Sequence, residues 1–236
     1  MIYYVNRDYI KIARPLPSYV KRDIYDIPYI ENDDIDISDI NNGKWLIKPN
    51  NMSPKDKFAS RKIVHSFCYD SDLYRYYNHP VKYLHRAARY YAITSFDFSI
   101  SADWGFHEVY NATYNNRWIG AFAQSYGKRV IPTIGWTIPR YYDVTFAGLR
   151  NGSVFLISTL SVNNTLSMPL FLQGYHELRN RFPDSPLLCV GDKIQGMDSD
   201  VCYIKYKDSF GSEDIRSGYW QPQLLNWDMS FSKEVV

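Results

Sequence analysis

The chain has 236 residues, 22% of them charged, and a formal net charge of +2. That length suits one large domain that needs no metal or disulfide staple, and so small a charge excludes the footprint of a histone-like or arm-type nucleic-acid binder. The unusual component is aromatic, with 22 Tyr, 12 Phe and 6 Trp, which reads either as Tyr-rich packing or as rings that stack on bases or sugars.

Residues 1–60 differ from the rest and are expected to form a loop-rich N-terminal extension packed on an α/β domain of residues 61–236. They hold Pro15, Pro17, Pro28, Pro49 and Pro54, and an acidic run from Glu31 to Asp39. Alternating Ile and Asp in that run fits a solvated loop or an edge strand. Met1 to Pro17 has no signal-peptide core. No stretch approaches the roughly 18 apolar residues of a membrane span. Cys68, Cys189 and Cys202 are far apart and form no CxxC or Cys/His cluster, so reduced thiols and a cytoplasmic location are expected, the host cytoplasm if the gene is a phage's.

After the turn signal Asn42-Gly43, Lys44-Trp45-Leu46-Ile47-Lys48 reads as a short strand. Strands are then expected near residues 63–67, 92–96, 130–134, 153–157 and 187–190, with a sixth near Val201 to Lys205. Helices are expected near 81–91, opened by Pro80; near 115–126, closed by Gly127; near Tyr142 to Leu149; and near 168–181. Trp118 and Phe122 should share the buried face of the second helix. Strand and helix alternate, so a parallel sheet with both faces covered follows. It is either a complete or partial β/α barrel or an open three-layer sheet. The regular spacing of strands and the lack of a Gly-rich phosphate loop favour the barrel-like form.

In both architectures ligands bind where strands end. That rule selects Cys68-Tyr69-Asp70, Asp97-Phe98-Ser99, Gly135-Trp136-Thr137, Ser158-Thr159-Leu160-Ser161 and Gly191-Asp192-Lys193. Asp97 and Asp192 are the candidate catalytic carboxylates. Either can act as a base or anchor, or as a structural cap. Ser99, Trp136, Ser158 and Lys193 are the candidate ligand contacts, with Trp136 as a stacking wall. No metal ligand set is assigned, although carboxylates gathered on one rim leave Mg²⁺ as an option. Lys82, Arg86 and Arg89 form a basic helix face that fits either solvent or phosphates. No GxxxxGK[ST], GxGxxG, HExxH or G-x-S-x-G motif occurs.

The succession Asp97-Phe98-Ser99, Asn116-Arg117-Trp118-Ile119-Gly120, Gly127-Lys128-Arg129-Val130-Ile131-Pro132, Gly135-Trp136, Phe146-Ala147-Gly148-Leu149, Gly152-Ser153, Ile157-Ser158-Thr159 and Phe171-Leu172-Gln173-Gly174-Tyr175 resembles the family called domain of unknown function 4417, whose members occur in bacteria, archaea and bacteriophages. The resemblance covers roughly residues 45–192. The family usually places a Pro before its Asp-Phe-Ser segment, and Phe96 stands there in this chain. The resemblance implies a shared fold and a phage or mobile-element source, and it carries no activity. Three functions stay open. The first is binding of a small nucleotide- or sugar-like ligand at the strand rim, with hydrolysis as a further option. The second is binding and blocking of a host protein. The third is binding of nucleic acid by the Lys82–Arg89 face.

Overall fold

The computed structural model describes residues 14–35, 45–162 and 167–204. Seven short strands lie among them. β1 (Trp45–Ile47), β2 (Lys62–Val64), β3 (Ala92–Thr94) and β4 (Val130–Ile131) form one sheet. β5 (Phe155–Ser158), β6 (Leu187–Val190) and β7 (Cys202–Ile204) form a second. All pairings within the two sheets are parallel. A parallel bridge from Thr133 to Leu156 joins the sheets. At this seam the Ile134 amide donates to the Leu156 carbonyl and the Leu156 amide to the Pro132 carbonyl, each at 2.9 Å.

Across the described strands, spatial order is therefore sequence order. A doubly wound sheet reverses its order at a switch point. Here it does not, and right-handed crossovers then fall on one side of the sheet. The opposite face closes on itself: Leu46, Ile63, Ala92, Ile131, Leu156, Leu188 and Ile204, one from each strand, belong to a single buried cluster. Alternate residues point the other way, as the two-residue period of a strand requires. Ile47, Val64, Ile93 and Val130 pack with the helices of the first half, and Phe155, Ile157, Leu187 and Cys189 with those of the second. The fold is α/β, with two parallel sheets interleaved with helices.

The crossovers are α1 (Asp70–Tyr77), α2 (Pro80–Ala87), α3 (Phe106–Ser125), α4 (Tyr142–Thr145) and α5 (Ser167–Arg181). Pro80 opens α2, where its missing N–H costs no hydrogen bond. Gly127 ends α3 at φ +74°, a conformation that suits glycine. Four helices depart from the sequence reading: α2 and α4 each end four residues short, at Ala87 and Thr145, and α1 and α3 differ more. α1 was not anticipated, because its buried Leu73, Tyr76 and Tyr77 are set among polar residues. α3 begins at Phe106, nine residues before the expected start at 115. Trp118 is buried, but Phe122 is only partly so, sandwiched between Trp118 and Tyr126 at centroid distances of 4.8 and 4.9 Å. Phe122 thus shares the face of Trp118, but it lies at the edge of the cluster rather than inside it.

Residues 14–35 pack on the outer helices. Ile30 is fully buried against Gly120 of α3, where a Cβ would lie 2.3 Å from Ile30 Cδ1. At the start of β2, Lys62 Nζ meets Asp56 Oδ2 at 3.0 Å with both side chains buried, and Tyr90 Oη donates to the same carboxylate at 3.2 Å. Residues 31–35 of the acidic run form no strand, and the rest of it lies outside the described residues, as do residues 1–13. No described helix is long and apolar enough to cross a membrane.

Candidate functional site

A cleft of about 890 Å³ opens at the C-terminal ends of β1 to β5. Its size falls in the roughly 300–1,000 Å³ range of small-ligand sites. The segments that line it are Lys48 and Asn50 after β1, Phe67 to Tyr69 after β2, Asp97 to Ala102 after β3, Ile134 to Thr137 after β4, and residues 158 and 160–162 after β5. The first turn of α5 closes one side with Ser167, Leu170 and Phe171.

A buried hydrogen-bond net sets the strand ends. Asn116 of α3 donates from Nδ2 to the Phe96 carbonyl at 2.7 Å and to the Thr133 carbonyl at 2.9 Å. Its Oδ1 accepts from Ser95 Oγ at 2.8 Å and from Arg117. Arg117, 1% exposed, also donates to the carbonyls of Ala147 at 2.9 Å and Thr145 at 2.7 Å. Burial lowers its pKa, and the ring of acceptors keeps it charged. The net fixes the end of β3, which carries Asp97, against the end of β4, which carries Trp136.

Asp97 is held by its backbone: its amide donates to Ser66 Oγ at 3.0 Å, and Ser66 Oγ donates to the Ser95 carbonyl at 2.7 Å. Its side-chain oxygens accept no hydrogen bond from the described residues, and one strip of the residue stays open to the cleft. Burial, and then the negative charge of Asp70, push its carboxyl up to about 7. Asp70 opens α1 and accepts from the Ser99 amide at 3.2 Å and from Ser99 Oγ at 3.1 Å. Ser99 thus anchors the carboxylate that acts on Asp97.

Trp136 forms the opposite wall. Its Nε1 donates to the Phe171 carbonyl at 3.1 Å, and its ring lies 5.0 Å from that of Phe171. It is pressed onto Gly174 of α5, where a Cβ would sit 2.0 Å from Trp136 Cδ1. Ser158 Oγ accepts from the Leu160 amide at 3.2 Å and shapes its own turn. Thr137 is 5% exposed and lines the cleft, and its hydroxyl has no partner among the described residues. Sequence reasoning named the segment but not this residue, whose signal is only its place beside Trp136. Burial raises the Cys68 thiol to about 12, so no ready thiolate faces the cleft.

The structure thus brings Asp97, Ser99, Trp136 and Ser158 to one cleft. Asp192 and Lys193 are exposed and do not line it. At Gly191, φ +123°, the chain turns against Thr159, whose hydroxyl donates to the Asp192 carbonyl at 2.8 Å. Lys82, Arg86 and Arg89 are exposed on and after α2. Arg86 donates to the Met52 carbonyl at 3.2 Å and Arg89 to that of Pro54, while Lys82 borders a shallow hollow with His79 and His85. Among the described residues no group of three or more His, Cys, Asp or Glu is placed to hold a metal ion.

The model of the Domain of unknown function (DUF4417) family matches residues 19–207. The chain is similar to the Gene 1 protein of Mycobacterium phage L5, 30% identical over 158 residues that cover 66% of this chain and 69% of the phage protein. It is similar also to the Gene 1 protein of Mycobacterium phage D29, 30% identical over 144 residues that cover 60% of this chain and 53% of that protein. The match thus spans about half the length of the D29 relative. No solved structure matches.

Proposed function

Since the chain belongs to the Domain of unknown function (DUF4417) family, whose mycobacteriophage relatives carry no activity in their names, we propose its function from the cleft: it binds a small, flat, ring-bearing ligand of the nucleoside type at the strand rim. The observation that carries this reading is the pairing of Asp97, a carboxylate with no partner among the described residues, with a rigidly seated indole, Trp136, on adjacent strand ends. An aromatic face supplies sequence-tolerant stacking worth about 1–3 kcal/mol per base. A partly buried acceptor without a donor is a deficit that a ligand N–H or O–H removes. Ser158 lines the same cleft, and Thr137 stands beside it with its hydroxyl buried. A carboxyl that titrates near neutrality can also take a proton from a bound ligand or return it, so the same site is equipped for proton transfer. Asp192 and Lys193 have no part in this reading.

Calorimetric titration of the intact chain with guanosine, adenosine, cytidine and methyl glucoside tests it. At least one nucleoside should bind with one-to-one stoichiometry, and Trp136→Ala should weaken that binding by about tenfold or more. Silence from every nucleoside at millimolar concentration, or binding indifferent to Trp136→Ala, overturns the reading.

A further inference from the structure

We infer that the ring bound in this cleft presents two adjacent N–H donors to Asp97, as the 2-amino-lactam edge of guanine does, and that it arrives without a phosphate. The inference rests on the ring-binding reading above and narrows it to a chemical class.

The first argument is the valence of Asp97. An ionised carboxylate only accepts, and its two oxygens offer about four lone-pair sites. The described residues give those oxygens no donor. The one hydrogen bond of Asp97 runs from its backbone amide to Ser66 Oγ at 3.0 Å. Two parallel N–H groups satisfy both oxygens at once, the geometry in which charge-assisted bonds are strongest. A single sugar hydroxyl leaves one oxygen unmet. The second argument is placement. Gly135 precedes Trp136 in the chain, and a Cβ there would lie 3.9 Å from Asp97 Oδ1, so the carboxylate meets the Trp136 segment at a residue without a side chain. A flat ring can therefore rest on the Trp136 side with its donor edge turned to Asp97. The buried Thr137 hydroxyl, without a partner among the described residues, remains as a neutral contact.

The third argument is charge. Of the described residues lining the cleft, Asp72 and Asp97 are acidic and Lys48 is the only Lys or Arg. Asp70 stands close enough to act on Asp97. A phosphate would enter against these carboxylates. The amino end of α5 favours an anion, but its first turn brings Ser167, Leu170 and Phe171 to the cleft and no cationic side chain.

Protonation supplies a separate readout. Around Asp97 the titratable side chains are Asp70 and Asp72 of α1, Cys68 and Tyr69 after β2, and Lys48 after β1. The segments after β4 and β5 and the first turn of α5 bring none among the described residues. Once protonated, Asp97 presents one donor where a two-donor edge needs two acceptors, so affinity should fall as pH drops below about 7.

The test titrates the intact chain with guanosine, inosine, adenosine and guanosine 5′-monophosphate at pH 8 and pH 6. Inosine lacks only the 2-amino group. Guanosine should bind about tenfold tighter than inosine and than its own monophosphate, and should weaken at pH 6. Asp97→Asn should abolish the preference for guanosine over inosine. Equal affinity for guanosine and inosine, tighter binding of the monophosphate, or a preference that survives Asp97→Asn overturns the inference. Should adenosine bind best and depend on Trp136, the ring-binding reading stands and this narrowing falls. Should no ring bind, both fall.

Discussion

The two ends of the β2–β3 pair hold carboxylates in opposite states, one fully buried and one partly so. At the amino end, Asp56 is closed off by Lys62 and Tyr90, at 3.0 and 3.2 Å. At the carboxyl end, a few residues along the same strands, Asp97 has a carboxylate that no described residue satisfies, and burial lifts it to about 7. The contrast teaches where this fold puts its tension. At this pair the amino end is closed by an internal ion pair, while at the carboxyl end the Asp97 side chain is left open toward the cleft. In β/α barrels the former face is associated with stability and the latter with ligands.

The sharpest way to break the comparison is to unpair the closed end. Asp56→Asn removes the buried carboxylate that Lys62 Nζ meets at 3.0 Å and should cost about 3–5 kcal/mol in urea unfolding. A loss below about 1 kcal/mol would mean that the two ends do not differ. Replacing both partners by apolar residues of similar size should restore most of the loss, since neither charge is then buried. Next in size is Gly174→Ala. Its methyl would overlap Trp136, so a loss of about 1–3 kcal/mol is expected, with a change in near-ultraviolet circular dichroism as the indole shifts.

Asp97→Asn should move stability the other way. The folded carboxyl titrates near 7, above its ordinary value of 3.8. The native state therefore holds the proton more tightly, and that contribution, complete below about pH 3.8, is lost as pH rises through about 7. At pH 8 the wild type carries an ionised, poorly solvated carboxylate, and Asn does not. The variant should gain about 1–2 kcal/mol at pH 8, a value discounted for the open strip of Asp97. The gain should vanish toward pH 4. A loss at pH 8 instead would make Asp97 a structural cap. The smallest effect belongs to Phe122→Ala, about 1 kcal/mol by denaturant titration, because the ring is only partly buried. A cost of 3 kcal/mol or more would restore it to the core.

The strands were legible because both of their faces are covered. Ile63-Val64, Val130-Ile131 and Leu187 to Val190 read as unbroken apolar runs, and their parallel order followed from the intervening helices. α1 was not legible, since Leu73, Tyr76 and Tyr77 sit among Asp, Ser and Arg, and tyrosine marks core and surface equally well. For the cleft, the rule that ligands gather at strand ends found Asp97, Ser99, Trp136 and Ser158. It also selected Asp192 and Lys193, because sequence gives the end of a strand but not the direction of the turn that follows, here set by Gly191 and Thr159. Lys48, Asp72 and the bare hydroxyl of Thr137 depend on how separate segments converge, which local pattern does not encode.

The seam between the sheets is narrow for a chemical reason. Pro132 has no amide to give, and the Thr133 amide is spent on Ser95 Oγ at 2.8 Å, so two main-chain bonds, at Ile134 and Leu156, do the joining. Seams of that kind are where cooperative units part first under native conditions. The molecule should breathe as two leaves, with the amide protons of Ile134 and Leu156 exchanging faster than those of Leu188 and Cys189 inside the second leaf. The cleft lies across the same line, with Asp97 on one leaf and Ser158 on the other, so an occupant would act as a clasp and slow exchange at the spine.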